Sequence, residues 1–548
     1  MDSHAIIINL HETSPEGIDA QIRILQDYIR QLHIARNALM PVNCLPAEVL
    51  LNIFALAGRR WEMEAGRVML KITWVSHYWR TLALGSPDLW TVVTNQTLGQ
   101  TDEWLTRSGS APLSIGLFNI RPGVLATPNH HFQSLFDEMS RIETLHLTLS
   151  PREPDYRTVL DSLWREPAVL LTGLKLGGLN LPRDFPSKIP NVQYLCLGRC
   201  QFGWEISTLR LHQLSCLHIS TPHTKVSVGQ VIELLYGIPT LEYLVLIAVF
   251  PPDERQDEVP FHGSPGSESG GPRLHLLELD FRHSINSPLQ FLEYILPRFM
   301  TGETIVSCSS SIDNAGVLTH LLTSFSQLFS PKRTPSSISF NDTLSINYKD
   351  IDDNVCRTSL VIWVNDRPDG TSNDVLSSLQ QSLPLMHLRA LKCDDELDLW
   401  NLDIPRLIET FAVLPKLEYL DVQGWEPDIT SFLETLLKAH ISTPDYAPPL
   451  PFPALKIFGT LLQKESNKVF LKVLKTRKRL GYPLEMVILD GSGSEESLKL
   501  KESADRAFGH LVDIVVEETD EWKKIQSVML IDGVKPVFKG CSVNSFEE

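Results

Sequence analysis

The N-terminal segment repeats its hydrophobic residues at helical spacing. From residue 15 to residue 40, apolar side chains recur at intervals of three and four, which predicts one α-helix. Pro15 and Glu16 suit the first turn, where a missing N–H costs nothing and a carboxylate meets the positive end of the helix dipole. Arg36 interrupts the apolar seam, which consists of Ile18, Ile22, Leu25, Ile29, Leu32 and Leu39.

This helix, which we assign to a segment over residues 1–40, has two interpretations. A seam of this kind is typical of a coiled coil that pairs two helices. Three heptads are marginal for a free-standing coiled coil, so we favour a helix that packs on its own domain.

Residues 41–95 follow with two short amphipathic helices. Pro46 fits the start of the first helix, and Gly58 fits its end. The dipeptide Ser86-Pro87 ends the second helix because proline fixes φ and disfavours helix for the residue before it. The apolar positions at helical spacing are Val49, Leu50, Ile53, Phe54 and Ala57 in the first helix and Val68, Ile72, Val75, Trp79 and Leu82 in the second.

This unit of about 50 residues has more apolar positions than so small a fold can bury by itself. We therefore expect a surface that another protein covers, with packing on the following domain as the alternative. The candidates are Leu45, Pro46, Val49, Leu50 and Trp90.

The same segment resembles an F-box. It opens with LPAEVLLNIF at residues 45–54, continues with VSHYWR at 75–80 and closes with PDLW at 87–90. Ser76 and His77 stand where the family pattern has Cys and Arg. With the preceding helix and the string WLTRSGSAPLSI at 104–115, the arrangement is similar to F-box proteins that are expanded in mushroom-forming fungi.

The resemblance implies a docking module that binds a Skp-family adaptor and, through it, a cullin. The interface that the resemblance implies is apolar and non-catalytic. Such an interface needs buried apolar anchors surrounded by a polar rim. By position, the residues that would meet the adaptor are Leu45, Pro46, Glu48, Val49, Leu50, Ile53 and Phe54. The remaining adaptor-binding candidates would contribute to the rest of the interface or to its support, and they are Val75, Trp79, Leu82, Leu89 and Trp90.

Beyond residue 140 one phrase recurs, with the pattern apolar-x-x-Leu-x-apolar. Its first copies begin at residues 142, 171, 192, 214, 241 and 274, and later copies begin at 388, 417 and 484. Spacings of 21 to 33 residues among the first six lie near those of leucine-rich repeats. Each phrase predicts a short strand that shares a continuous core with its neighbours. Cys200, three residues after Leu197, falls where such repeats place Asn or Cys against a buried backbone turn.

These patterns together predict an α/β chain. A helical F-box module over 41–95 and a linker with the first strand and helix over 96–140 precede an irregular leucine-rich-repeat solenoid over 141–535, with parallel strands on one face and helices or loops on the other. A polar insert occupies 251–273, a divergent section covers 282–387, and a tail covers 536–548. In the divergent section, strands are expected at 337–341, 343–348 and 359–365. The basic run at 472–479 is expected to be a solvated helix face.

Composition narrows the function classes. The net charge of −17 repels phosphate backbones, so no nucleic-acid partner is predicted. No apolar stretch approaches the length of a membrane span, and the N-terminus lacks the features of a secretory signal. Eight cysteines in 548 residues are too sparse for a disulfide framework. We therefore expect a cytoplasmic and/or nuclear protein.

The sequence offers little chemistry. Cys196, Cys200, Cys216 and His218 match no common zinc spacing, and their positions fit the repeats instead. There is no phosphate-binding glycine loop, HExxH motif or GxSxG motif. We predict no metal, no cofactor and no catalytic residue.

We therefore predict the substrate-recognition subunit of a Skp–cullin–F-box ubiquitin ligase, whose repeats bind a target protein. The alternatives are a repeat scaffold with no role in ubiquitin transfer and an enzyme with a site hidden in 282–387. Six residues would face the target protein, judged only by their position in the repeated phrase. They are Glu143, Lys175, Gln193, His218, Glu278 and Asp421.

Overall fold

The structure is a computed structural model of the 548-residue chain, and it forms two compact units. The first unit contains residues 1–195 and 200–203, and the second contains 196–199 and 204–548. The described residues are 14–59, 65–95, 97–120, 130–149, 167–203, 211–251, 271–281, 286–308, 315–329, 333–340, 343–350, 358–363, 372–393, 404–422, 426–441, 451–460, 466–489, 502 and 504–516. Most of the predicted insert and all of the predicted tail lie outside them.

The first helix, α1, spans Pro15–Ala38. Ser14 caps it by accepting a hydrogen bond of 3.1 Å from the Gly17 N–H, and Pro15 occupies the first turn as predicted. No residue of α1 is buried. Within the described residues, the apolar seam of α1 is therefore not buried on its own domain.

The helical module consists of α2 (Ala47–Arg59), α3 (Ala65–Val75) and α4 (His77–Leu84), followed by a 3-10 turn at Pro87–Trp90. Ser76, at the position where the family pattern has Cys, accepts a hydrogen bond of 3.1 Å from the Trp79 N–H and caps α4. The cap explains why the predicted second helix is broken in two at Ser76. Buried apolar side chains of the module are Leu50, Phe54, Met69, Ile72, Ala83, Leu89 and Trp90.

The parallel sheet of the first unit begins earlier than residue 141. Strand β1 (Val92–Thr94) pairs in parallel with β2 (Leu113–Ile120), which pairs with β3 (Ile142–Leu149), which pairs with β4 (Gly173–Gly177). The helix α5 (Thr101–Ser108) connects β1 and β2 and buries Trp104 against Trp90, with ring centroids 4.9 Å apart. The predicted boundaries at 95 and 141 therefore lie between strands that pair in one sheet.

The recurring phrases form strands as predicted. In most phrases a polar or small residue separates the fourth and sixth residues. Leucines of neighbouring strands stand opposite each other, as Leu145 and Leu174 do. The strand β5 is Tyr194–Gly198. In the second unit, β6 (Cys216–Ser220), β7 (Tyr243–Ile247), β8 (Leu274–Phe281) and β9 (Met300–Cys308) pair in parallel in that order.

The divergent section departs from the repeat. The strands β10 (Arg333–Phe340), β11 (Thr343–Asp350) and β12 (Thr358–Trp363) cover the three predicted strand positions. They form an antiparallel meander, in which β12 pairs in parallel with β9 while β10 pairs in parallel with β13. The spatial order is therefore β9, β12, β11, β10, β13, with β11 running against the rest.

The last described strands restore the parallel order. They are β13 (Ala390–Cys393), β14 (Tyr419–Val422), β15 (Ile457–Thr460), β16 (Met486–Leu489) and β17 (Asp513–Val516). Helices alternate with strands along the chain and bury their apolar sides. Beyond α5 they are His130–Asp137, Val228–Gly237, Asn286–Phe299, Ala315–Phe329, Ser372–Ser382, Ile404–Phe411, Glu426–Ile441 and Ser466–Arg479.

The basic run at 472–479 lies on the helix Ser466–Arg479, and Lys472, Lys475, Lys478 and Arg479 are exposed as predicted. Arg477 is an exception because it is fully buried. Its guanidinium donates hydrogen bonds to the carbonyl oxygens of Pro451, Phe452 and Leu455 at 3.1, 2.9 and 3.3 Å. No described helix combines the length and apolarity that crossing a bilayer requires.

Candidate functional site

The helix α2 has two apolar sides that face different surroundings. Leu50 and Phe54, four residues apart, are buried in the module, and the Phe54 ring lies 4.8 Å from the Trp79 ring. Val49, Ile53 and Leu56 share the other side at spacings of four and three and are 41%, 41% and 65% exposed. We call Val49, Ile53 and Leu56 the outward stripe.

The twelve predicted adaptor-binding residues fall into three groups by burial. Five are exposed, and three are partly buried. The exposed ones are Pro46, Glu48, Val49, Ile53 and Val75, the partly buried ones are Leu45, Trp79 and Leu82, and the buried ones are Leu50, Phe54, Leu89 and Trp90.

The expectation that Leu50, Phe54 and Trp90 are open to a partner is therefore wrong, and Leu89 is buried in the supporting position that was its alternative. Trp90 fills the centre of the module, where its indole Nε1 donates a hydrogen bond of 2.8 Å to the Ala83 carbonyl oxygen. The Arg107 guanidinium lies 4.2 Å from the Trp90 ring centroid and covers it. These four side chains support the module and are not themselves a contact surface.

Some exposed apolar residues are absent from the sequence-based set. Leu56 is the last residue of the outward stripe. Trp74 is 73% exposed at the end of α3, and Tyr78 is exposed on α4. Helical spacing from Val49 would have found Leu56. Trp74 was not predicted as a contact residue because it lies one position before the VSHYWR string that resembles the family pattern.

A polar junction joins the end of α1 to α4. The Trp79 indole Nε1 donates a hydrogen bond of 2.5 Å to Asn43 Oδ1, and Asn43 Nδ2 donates one of 2.6 Å to the Asn37 carbonyl oxygen near the end of α1. A shallow groove of about 420 Å³ opens beside this junction. It is lined by Ile34, Asn37, Ala38, Asn43, Ser76, His77, Tyr78 and Thr81.

The six residues that were predicted to contact a target protein differ in their exposure to solvent. Glu143 and Gln193 are exposed, and Glu278 is partly buried. Lys175, His218 and Asp421 are buried, so the prediction is wrong for these three as surface contacts. For Asp421 the reason is local: the Tyr419 hydroxyl donates a hydrogen bond of 2.9 Å to its Oδ2, and the Gly459 backbone on the next strand lies close against its carboxylate.

Burial shifts the pKa of two side chains on the strands. His146 on β3 stands opposite Lys175 on β4, and burial together with the lysine charge lowers the pKa of His146 to about 4. In the second unit, burial and the nearby Asp280 carboxylate raise the pKa of Glu278. His146 is thus uncharged at neutral pH.

The residues of the zinc-like set, Cys196, Cys200, Cys216 and His218, are all buried. Cys200 Sγ donates a hydrogen bond of 3.5 Å to the buried Leu176 carbonyl oxygen, which is the turn-satisfying role that the repeat pattern predicts. Among the described residues, no group of three or more His, Cys, Asp or Glu side chains is placed to hold a metal ion.

Among known proteins, similarity to this chain is found at the level of solved structures. No protein-family model matches the sequence, and no curated protein matches it. Among solved structures, a leucine-rich-repeat protein of Leptospira interrogans is similar over 72% of this chain and 91% of its own, with 12% identity and a TM-score of 0.27. An internalin of Listeria monocytogenes is similar over 72% of this chain and 87% of its own, with 13% identity and a TM-score of 0.25. The chain has a mixed α/β fold with a leucine-rich-repeat-like row of parallel strands.

Proposed function

We propose that this chain is the substrate-recognition subunit of a Skp–cullin–F-box ubiquitin ligase. The observation that carries the proposal is the outward stripe on α2, which begins inside the LPAEVLLNIF string and continues past it. Apolar side chains in a regular row on a folded helix are the anchors that a protein interface needs. Pro46 and Glu48, both exposed beside it, would form part of the rim.

The burial of Leu50 and Phe54 changes how the docking would work. In the proposal these side chains hold α2 against α3 and α4, and the adaptor contacts Val49, Ile53 and Leu56. Trp74 and Val75, exposed at the end of α3, offer further apolar area in the same module. A large exposed aromatic side chain is the residue type that dominates binding energy in many interfaces.

The repeats would supply the second function, which is to hold a target protein. Exposed residues at strand starts, including Glu143 and Gln193, are candidates for target contacts. In this proposal the chain carries no catalytic residue and acts by raising the effective concentration of the target near the ubiquitin-charged enzyme. A location in the cytoplasm and/or nucleus and kinship with the F-box proteins of mushroom-forming fungi belong to the same proposal.

A second candidate is a repeat scaffold that binds proteins and takes no part in ubiquitin transfer. The burial of Leu50, Phe54, Leu89 and Trp90 favours it, because a module that fills its own core can be a stable cap for the repeats. The two candidates differ in whether the outward stripe binds an adaptor.

The test is binding of the purified full-length chain to a purified Skp-family adaptor, measured by calorimetry. Ile53→Arg places a charge in the outward stripe, and we expect it to weaken binding by about tenfold or more. Val413→Arg is the matched control, because Val413 is an exposed apolar residue of the repeats. Leu50→Arg would be uninformative, since it disrupts the core.

Circular dichroism should show the same helix content in the wild type and in both variants. If the folded wild-type chain does not bind the adaptor, or if Ile53→Arg binds as well as the wild type, the docking proposal is overturned and the scaffold remains.

A further inference from the structure

The helix α1 presents apolar side chains that the described part of the chain leaves largely exposed. It has 24 residues, none of them buried. Along its seam Ile18 is 49% exposed, Ile29 is 51% exposed and Leu32 is 51% exposed. In proteins, most of the stability of a helix comes from packing of its apolar side rather than from intrinsic propensity.

The order of residue types in the seam specifies a kind of packing. With Ile22 and Ile29 at the a positions, the d positions are Ile18, Leu25 and Leu32, followed by Leu39 directly after the helix. β-Branched residues at a with leucine at d favour two parallel strands over higher oligomers. The opposite side carries charges, including the ion pair of Arg30 with Asp27 at 2.9 Å.

We propose that α1 pairs with α1 of a second copy of this chain, as a parallel, in-register, two-stranded coiled coil. A second copy is the occupant that fits because the seam is complementary to itself when parallel. Isoleucine meets isoleucine at the a layers of Ile22 and Ile29, and leucine meets leucine at the d layers of Leu25, Leu32 and Leu39. The residues flanking the seam within the helix are mostly uncharged, so little repulsion opposes this pairing. They are Asp19, Gln21, Gln26, Tyr28, His33 and Ala35.

Arg36 limits the strength of the pairing. It occupies the next a position, where two like charges face each other across the dimer axis. Its place in the last turn allows the guanidinium to reach solvent, and it donates a hydrogen bond of 3.3 Å to Asn37 Oδ1. The dimer is therefore reversible, and two copies together would bind a target with two sets of repeats.

The test is sedimentation equilibrium of the full-length chain across a range of concentrations. We expect the weight-average mass of the wild type to rise from 61.8 kDa towards twice that value. Ile29→Arg should raise the dissociation constant by about tenfold or more, because it places a second pair of charges in the seam. Ile24→Arg is the matched control, since Ile24 is 59% exposed on the same helix but outside the seam, and it should sediment like the wild type.

Arg36→Ile provides the opposite change. Replacing the facing charges by isoleucine at an a position should lower the dissociation constant by about tenfold. A wild-type chain that stays monomeric together with a monomeric Arg36→Ile variant overturns the proposal. Equal effects of Ile29→Arg and Ile24→Arg also overturn it.

Orientation is tested by crosslinking in a Cys44→Ser background, because Cys44 is exposed near the end of α1. Leu25→Cys places facing thiols in a parallel, in-register pair and should form a disulfide-linked dimer under mild oxidation, whereas Ile24→Cys should not. A dimer by sedimentation that Leu25→Cys fails to link rules out the parallel register. No adaptor enters these measurements, so their outcome is independent of the ligase proposal.

Discussion

Trp79 and Asn43, separated by 36 positions in sequence, are joined by a hydrogen bond of 2.5 Å from the indole Nε1 to the amide Oδ1. Asn43 also donates to the Asn37 carbonyl oxygen, so one side chain links the end of α1 to α4. The Trp79 ring in turn packs on the buried Phe54 ring. The position of α1 on the module thus depends on an amide that the F-box-like pattern does not include.

We expect Trp79→Phe to lower the free energy of unfolding of the helical module by about 1–3 kcal/mol, because Asn43 Oδ1 loses its donor at a partly buried site. Native-state hydrogen exchange of the α2–α4 amides measures this. Trp74→Phe is the control, since Trp74 is exposed and should change little. Equal losses in the two variants would contradict the role of this hydrogen bond.

The two sides of α2 should respond differently to truncation. Phe54→Ala leaves a cavity in the core and should cost about 3–5 kcal/mol, whereas Ile53→Ala should stay within about 0.5 kcal/mol. Urea unfolding followed by tryptophan fluorescence compares them, since Phe54 lies against the Trp79 ring. A large loss in Ile53→Ala would mean that the outward stripe is covered in solution.

The stability of the first unit should fall on acidification in part through His146. Its pKa in the folded chain is about 4, below the unfolded value of 6.5, so the unfolded state binds the proton first as pH falls. Stability is therefore complete above pH 6.5 and declines from there to about pH 4, by up to about 3 kcal/mol from this group.

His146→Gln removes that contribution. Urea midpoints at pH 7 and pH 4.5 should fall less for His146→Gln than for the wild type, because the carboxyl groups that titrate in this range are the same in both chains. An identical fall in the two proteins would show that His146 is protonated equally in the folded and unfolded states.

Arg477 should be important for the fold around β15, although it belongs to a run of basic residues. Arg477→Met leaves three carbonyl oxygens without their donor and should cost about 3 kcal/mol or more. Faster hydrogen exchange at residues 451–460 reports the loss. Lys478→Met is the adjacent control with an exposed side chain, and a similar effect there would point to net charge as the cause.

Much of the strand arrangement could be predicted from sequence because a leucine phrase determines both the strand and its buried side. The phrase that begins at Ile142 forms β3, and the strands predicted from residues 337 and 359 lie in β10 and β12. Alternation does not encode strand direction, so the reversal of β11 was not predictable. Serines of β10 and β12 join Asn347 in hydrogen bonds across the meander, at 2.9 Å from Ser337 and 2.6 Å from Ser359.

The candidate site was less predictable because both sides of α2 are apolar. Periodicity predicted that Val49, Leu50, Ile53 and Phe54 lie on a helix. It could not show which of them face the core, because the apolar residues form one continuous surface along the helix. Only the positions of α3 and α4 decide that Leu50 and Phe54 face inward. For Lys175 and Asp421 the reason is similar, because polar character alone does not show that neighbouring strands enclose a side chain.

The meander at β10–β12 also has a consequence for synthesis of the chain. During translation, β10 and β11 leave the ribosome before β12, yet β12 is the strand that pairs with β9. The growing sheet has no partner for the β9 edge until residues 358–363 have emerged, while the β10–β11 hairpin can close at once. In this stretch the nascent polypeptide must finish a local hairpin first and attach it to the sheet afterwards.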